Sequence, residues 1–309
     1  MPDRPAILIM QRHLAPLTAF LQGAYTVYRF WEGPPVEAQA NIRAIVVAGE
    51  FPLDKALIER LPNLSLIACF TSGYDGIDVD WAAARGLPVT HAPGVNHEDV
   101  ADHALGLILG ARRQIVSGDR TLRAGGWTAE SKTITPSLAG QRVGIVGLGL
   151  IGEAIARRCV ALRMIPAWWG PRDKPAPWPR AASLLELARD SDCLVVACRA
   201  DETNRGLISA EVLNALGPQG LLVNVSRGQV VDEDALIEAL KSGRLGQAAL
   251  DVFEQEPTPA ERWADVPNTV LTPHTGGATT EAVQGMLALL LENLEAHFTG
   301  RPLKTPVNR

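Results

Sequence analysis

At 309 residues the chain is long enough for about two domains at ~150 residues each, and its 47% hydrophobic and 20% charged content excludes a disordered or fibrous protein. A net charge of −5 gives no general attraction for phosphate backbones or anionic membranes, so nucleic acid is not an expected partner. Apolar runs never reach the ~18 residues of a membrane span, and residues 6–10 are too short for a secretion signal. The expected location is therefore cytoplasmic.

In chain order, short apolar runs rich in β-branched residues at 6–10, 42–48, 66–70 and 87–90 read as buried parallel strands. Helical patterns at 53–60 and 79–85 lie between them, each closed by Pro62 or Gly86. A longer helical stretch at 98–113 is expected to link one domain to the next. A second alternation follows, with strands at 142–146, 166–169, 193–197, 220–225, 248–252 and 269–272. The last helix spans 281–298, and the tail at 302–307 is free to return to the first unit. The Pro- and Trp-rich stretch 168–179 reads as a surface loop. The fold expected is α/β, with two doubly wound parallel-sheet domains. All four cysteines sit in apolar stretches without the two-residue spacing of a metal or redox motif, so buried reduced thiols and no metal site are expected.

Residues 142–152 read RVGIVGLGLIG, which spaces Gly147, Gly149 and Gly152 as G-x-G-x-x-G between an apolar strand and an amphipathic helix. Gly147 permits the tight turn, Gly149 removes a Cβ that would block a pyrophosphate, and Gly152 lets helix and strand approach. The phosphates then sit on N–H groups of the helix start, at Leu150 and Ile151. A carboxylate for the ribose 2′-hydroxyl normally stands ~20 residues further on. Gly170 or a neighbour occupies that position, with Arg172 and Lys174 after it, so a 2′-phosphate is favoured: NADP(H) preferred, NAD(H) possible; Asp173 beside Arg172 counts against this, and a solvated loop residue is the plainer reading of Arg172.

Three later segments carry the reactive residue types: NVSRGQVVDEDAL at 224–236, ALDVFEQEP at 249–257 and LTPHTGG at 271–277. With SGYDGID at 72–78 and VAD at 100–102, they come in the order of the signature blocks of the D-2-hydroxyacid dehydrogenases, and the chain resembles that family over most of its length, its glyoxylate/hydroxypyruvate reductase branch in particular. The resemblance implies a Rossmann-type nucleotide domain (97–279) inserted in a flavodoxin-like substrate domain (1–96 and 280–309). It also implies a small 2-keto acid substrate and a homodimer joined through a segment like 121–139.

By the same resemblance His274 is the proton donor, Glu256 its carboxylate partner, and Arg227 the catalytic and substrate-binding guanidinium. The backbone N–H groups of Ser72 and Gly73 are the second hold on the substrate, while Ser226 and Asp251 line the cofactor. Each role has chemical sense. An imidazole donates protons near neutral pH, a carboxylate on its other nitrogen keeps it charged, and a planar guanidinium fits a carboxylate. Residue by residue, plainer readings stay open. Thr272-Pro273-His274 could be a capped turn, Glu254 or Asp251 the relevant acid, and Arg227 a salt-bridge anchor. Alternative functions are NAD-dependent oxidation of D-3-phosphoglycerate or a phosphonate, and a non-catalytic NADP-binding regulator. The resemblance departs at Asp102, where the family often has Glu.

Overall fold

The computed structural model describes residues 4–130 and 133–308. By its internal contacts the chain divides into two compact units, one made of residues up to Asn96 and from Thr279 on, the other of His97–Ala278.

In the first unit, β1 (Ala6–Ile9), β2 (Thr26–Arg29), β3 (Ile42–Val47), β4 (Leu66–Cys69) and β5 (Val89–Thr90) form one sheet in the order β2-β1-β3-β4-β5. All its pairings are parallel, the doubly wound order expected of a flavodoxin-like sheet. The strand β2 has no counterpart among the apolar runs of the sequence. Its residues TVYR are exposed or half-buried, because an edge strand buries only part of its surface, so no continuous apolar signal marks it. The helix Thr280–Phe298 packs Ala282, Met286, Leu290 and Leu294 into the core of this unit. Its tail runs back along β5, where Thr90 bridges Pro306 and Val307 N–H donates to Val89 O. Ser65 Oγ lies 2.8 Å from His297 Nε2, and His297 is half-buried.

In the second unit, β6 (Arg142–Val146), β7 (Ile165–Trp169), β8 (Cys193–Val196), β9 (Leu221–Asn224), β10 (Gln247–Leu250) and β11 (Thr269–Leu271) pair in the order β11-β10-β9-β8-β6-β7, again all parallel. Beyond β7 a parallel bridge joins Trp168 to Arg180. The third strand of a six-strand dinucleotide order is thus reduced here to one bridge. This corrects the reading of 168–179 as a surface loop throughout. Trp168 belongs to β7, is 2% exposed, and donates from Nε1 to Trp178 O.

Runs such as CLVV in β8 are buried on every residue because helices cover both faces of the sheet, each such side chain contributing about 1.5–3 kcal/mol of burial. The helix His97–Arg112 opens the second unit and is part of this packing. Its Val100, Ala104, Leu107 and Ile108 meet Ala154, Ile155 and Cys159 of the helix Leu150–Ala161. Arg158 ties the same two helices by pairing with Glu98 and Asp102 at 2.6 Å each. Asp102 therefore serves as an exposed ion-pair partner, a contact of small energetic worth. No helix among the described residues is long and apolar enough to cross a membrane.

Candidate active site

The chain leaves β6 toward β7 on one side and then crosses to β8 on the other, and open α/β sheets bind ligands outside the carboxyl ends of strands at such a reversal. The glycine turn lies there. Gly147 has φ +92, and a Cβ on it would meet Cys198 Cα at 2.5 Å, so only glycine lets the turns after β6 and β8 touch. A Cβ on Gly152 would lie 2.1 Å from Gly147 O, whereas one on Gly149 would meet nothing within 4 Å. Open space therefore stands over the start of the helix Leu150–Ala161. Gly149 is its N-cap and no side chain caps the first N–H groups, Leu150 and Ile151 among them. An uncapped helix start facing open space suits the pyrophosphate of a dinucleotide.

After β7 glycine stands where the ribose carboxylate is expected, at Gly170, and Arg172 and Asp173 follow it, both exposed. Arg172 is exposed and makes no hydrogen bond or ion pair among the described residues. Arg180, which sequence reasoning missed, donates from Nη2 to Gly170 O at 2.8 Å and brings a second guanidinium to this strand end. Lys174 faces the other way. Its ammonium bonds Leu148 O at 2.6 Å and pairs with Glu153, which neutralises an acid in the first turn of the helix.

Burial pushes all four thiols up, Cys198 to about 11, so none offers a thiolate near neutral pH.

Arg227, Glu256 and His274 follow three neighbouring strands, β9, β10 and β11, at their carboxyl ends. His274 Nδ1 is 2.6 Å from Glu256 Oε2, and the other carboxylate oxygen accepts from Phe253 N–H at 2.9 Å. Both side chains are about one-third exposed. The Glu256 hydrogen bond holds the His274 imidazolium above its usual pKa. Burial opposes it, the Glu256 charge adds to it, Arg227 pulls the other way and Asp251 supports it. Burial alone would raise Glu256. The His274 hydrogen bond, the Phe253 N–H and the charges of His274 and Arg227 bring it below the ordinary range instead. The pair thus favours the charged forms of both partners, a protonated imidazole on an ionised carboxylate.

Gly228 brings the Arg227 turn to this pair. A Cβ there would fall 1.8 Å from Phe253 C and 2.2 Å from Glu254 N, so the turn after β9 lies directly on the Glu256 loop. On the far side, Glu233 is 3% exposed and accepts from Glu254 N–H and from Arg262 Nε, which anchors that loop to the helix Glu233–Lys241. Glu254 is the loop's backbone anchor and is not the imidazole's partner. Arg227 Nη1 donates to Ser226 O at 2.8 Å, and Ser226 is buried with its hydroxyl on Asn224 Oδ1.

Asp251 is committed to the His274 turn. His274 has φ +52, a left-handed conformation that costs a non-glycine residue of order 1–3 kcal/mol. Asp251 holds it three ways. Its C=O accepts His274 N–H at 2.8 Å, its Oδ1 accepts Thr275 N–H at 2.9 Å, and its Oδ2 accepts Gly276 N–H at 2.8 Å. Thr272 Oγ1 also donates to Oδ1, at 2.6 Å. Oδ1 thus takes the Thr272 hydroxyl and the Thr275 N–H, while Oδ2 takes Gly276 N–H and keeps room for one further donor.

Ser72 and Gly73 belong to the first unit. Ser72 Oγ donates to Ala92 O at 2.6 Å and Gly73 O accepts from Thr71 Oγ1 at 3.0 Å, while the backbone N–H groups of both have no acceptor among the described residues. Glycine is required opposite them too, since a Cβ on Gly49 would lie 2.2 Å from Gly73 O.

Comparison with known proteins gives the family. Residues 105–276 match the NAD-binding domain of the D-isomer specific 2-hydroxyacid dehydrogenases. The chain is 41% identical over 304 residues to a glyoxylate/hydroxypyruvate reductase of Arabidopsis thaliana, covering 95% of this chain and 97% of that protein. To a hydroxyphenylpyruvate reductase of Plectranthus scutellarioides it is 40% identical with the same coverage. It also resembles the solved structure of an NADPH-dependent glyoxylate/hydroxypyruvate reductase of Sinorhizobium meliloti in complex with NADP and malonate. The TM-score is 0.91 at 36% identity, over 99% of this chain and 97% of that one.

Proposed function

Because the chain belongs to the D-isomer specific 2-hydroxyacid dehydrogenase family, we propose that it reduces glyoxylate or hydroxypyruvate to the D-2-hydroxy acid, using NADPH in preference to NADH. The observation that carries the reading is the His274–Glu256 pair at 2.6 Å with the Arg227 charge beside it. A nicotinamide dinucleotide, when bound on the glycine turn, supplies the hydride; Ser226 and Asp251 line its nicotinamide end. Arg227 binds the substrate carboxylate and stabilises negative charge developing on the carbonyl oxygen. His274 Nδ1–H stays on Glu256, which leaves Nε2–H as the proton given to that oxygen. The N–H groups of Ser72 and Gly73 are the proposed second hold on the carboxylate, a role that rests on the family resemblance and on their having no acceptor among the described residues.

The NADPH preference is supported by Arg172 and by glycine at position 170. A screen of 2-keto acids with NADPH and NADH in parallel tests both parts of the reading. Glyoxylate and hydroxypyruvate are expected to rank first, and no turnover of any 2-keto acid would refute the assignment. In the variant Arg172→Ser, kcat/KM for NADPH is expected to fall about 10- to 100-fold, the worth of a hydrogen bond to a charged group. The value for NADH should move less than about threefold on the same reasoning. Equal losses with both cofactors would reject Arg172 as the phosphate ligand.

A homodimer is proposed as well. Ile115, Leu122, Trp127 and Ile134 are 58%, 57%, 70% and 94% exposed, an apolar series along one arm of the chain that a second copy would cover. Residues 131 and 132 of this arm lie outside the described residues. Light scattering should give the mass of two chains, and Trp127→Ser with Leu122→Ser should lower it toward one. A monomeric parent protein would exclude the assembly.

A further inference from the structure

The mechanism uses one histidine, yet a second, His103, is tied to the turn that carries it. His103 sits on the helix His97–Arg112 with its ring 23% exposed, Nε2 being 2.9 Å from Thr272 Oγ1 and 3.2 Å from Asp251 Oδ1. The tautomer follows from counting protons. Thr272 has one hydroxyl proton, and its oxygen lies 2.6 Å from Asp251 Oδ1, which can only accept; the proton is spent there. His103 must therefore donate from Nε2, to Thr272 Oγ1 and Asp251 Oδ1 together.

We propose that His103 is a positioning residue for the proton donor, acting through Asp251 and Thr272 to hold the turn that aims the His274 imidazole. The chain of contacts is continuous. His103 donates to the Asp251 carboxylate, that carboxylate takes Thr275 and Gly276 N–H, and Asp251 C=O takes His274 N–H. Gly276 shows how tightly the three elements close. A Cβ there would lie 2.9 Å from Asp251 Oδ2 and 3.4 Å from the His103 ring, so the turn rests on both. Such a turn has a left-handed residue to keep in place, and losing one donor frees its strain at the position that must meet the substrate carbonyl. The sequence hides this role, since His103 falls at a helical position 171 places before its functional partner.

The role rests on the reductase reading, so its test has an arm that needs no substrate. His103→Leu removes the donor and keeps an apolar side chain; His103→Gln keeps an N–H at the Nε2 position. Charged groups facing the His274 ring are Glu256, Arg227 and Asp251, and all remain in both variants. In the leucine variant kcat for the keto acid is expected to fall at least about tenfold, with KM within about twofold, as for a misplaced reacting group. In the cofactor-free protein the His274 ring resonances, identified by their loss in His274→Ala, should then titrate lower, toward the ~6.5 of a free imidazole. Glutamine should restore both readouts. Unchanged rate and titration in the leucine variant, or equal damage from leucine and glutamine, would overturn the proposal. If the parent protein turns over no 2-keto acid the reductase reading fails, and the titration arm still decides the question for His103.

Discussion

Alanine at His274 is expected to lower kcat for keto-acid reduction by about 10²–10⁴-fold, the usual worth of a positioned general acid, with KM changed only a few-fold. Substrate binding is assigned to other groups, so the loss should fall on the chemical step. The pH dependence makes the expectation sharper. The reduction consumes the proton of His274, so kcat is level at acid pH, where the imidazolium is populated, and falls as pH rises through the raised His274 pKa. Glutamine at Glu256 keeps a hydrogen-bond acceptor but removes the charge. The imidazolium then loses its main support, and the falling limb should move to lower pH, toward ~6.5. Oxidation of the hydroxy acid needs the neutral ring, so its profile should rise where the reduction profile falls. A Glu256→Gln limb superimposed on that of the parent protein would show that this carboxylate does not set the proton affinity of the donor.

How this site could be read from the sequence depends on what kind of contact makes it. Two alternations of apolar run and helix, and a glycine turn with a strand before it and a helix after it, are local patterns, and the sheets contain the strands those patterns mark. Edge features carry less signal. The strand β2 buries too little of TVYR to leave an apolar run, and the third strand of the nucleotide sheet survives only as the Trp168–Arg180 bridge. Within the site, Arg227, Glu256 and His274 stand out because each lies in a motif and because parallel order brings the ends of β9, β10 and β11 side by side. The residues that hold them lie in no such pattern. Gly228 is needed because Phe253 and Glu254 press on it, Glu233 because it anchors Glu254 N–H, and Asp251 because its carboxylate gathers donors from a turn 24 to 25 residues away. Such roles are made by contacts between segments far apart in the chain, and spacing along the sequence does not record them.

Lysine at Arg227 is expected to lower kcat/KM for the keto acid by about 10²–10³-fold, because it keeps the charge but loses the planar pair of donors that matches a carboxylate. The loss should appear in both terms. KM rises as the carboxylate loses its fork, and kcat falls as the developing oxyanion loses a fixed partner. Charge and geometry can be separated by pH. Arg227 depresses the proton affinity of both His274 and Glu256, so Arg227→Ala should raise the His274 pKa and carry the falling limb of the reduction profile to higher pH. Arg227→Lys retains a cation and should leave the limb near that of the parent protein. The alanine variant thus shifts the limb in the direction opposite to Glu256→Gln, although both variants are slow. A guanidinium that served only as a surface salt-bridge anchor would leave KM for the keto acid untouched and the limb in place, and that pair of results would remove Arg227 from the site.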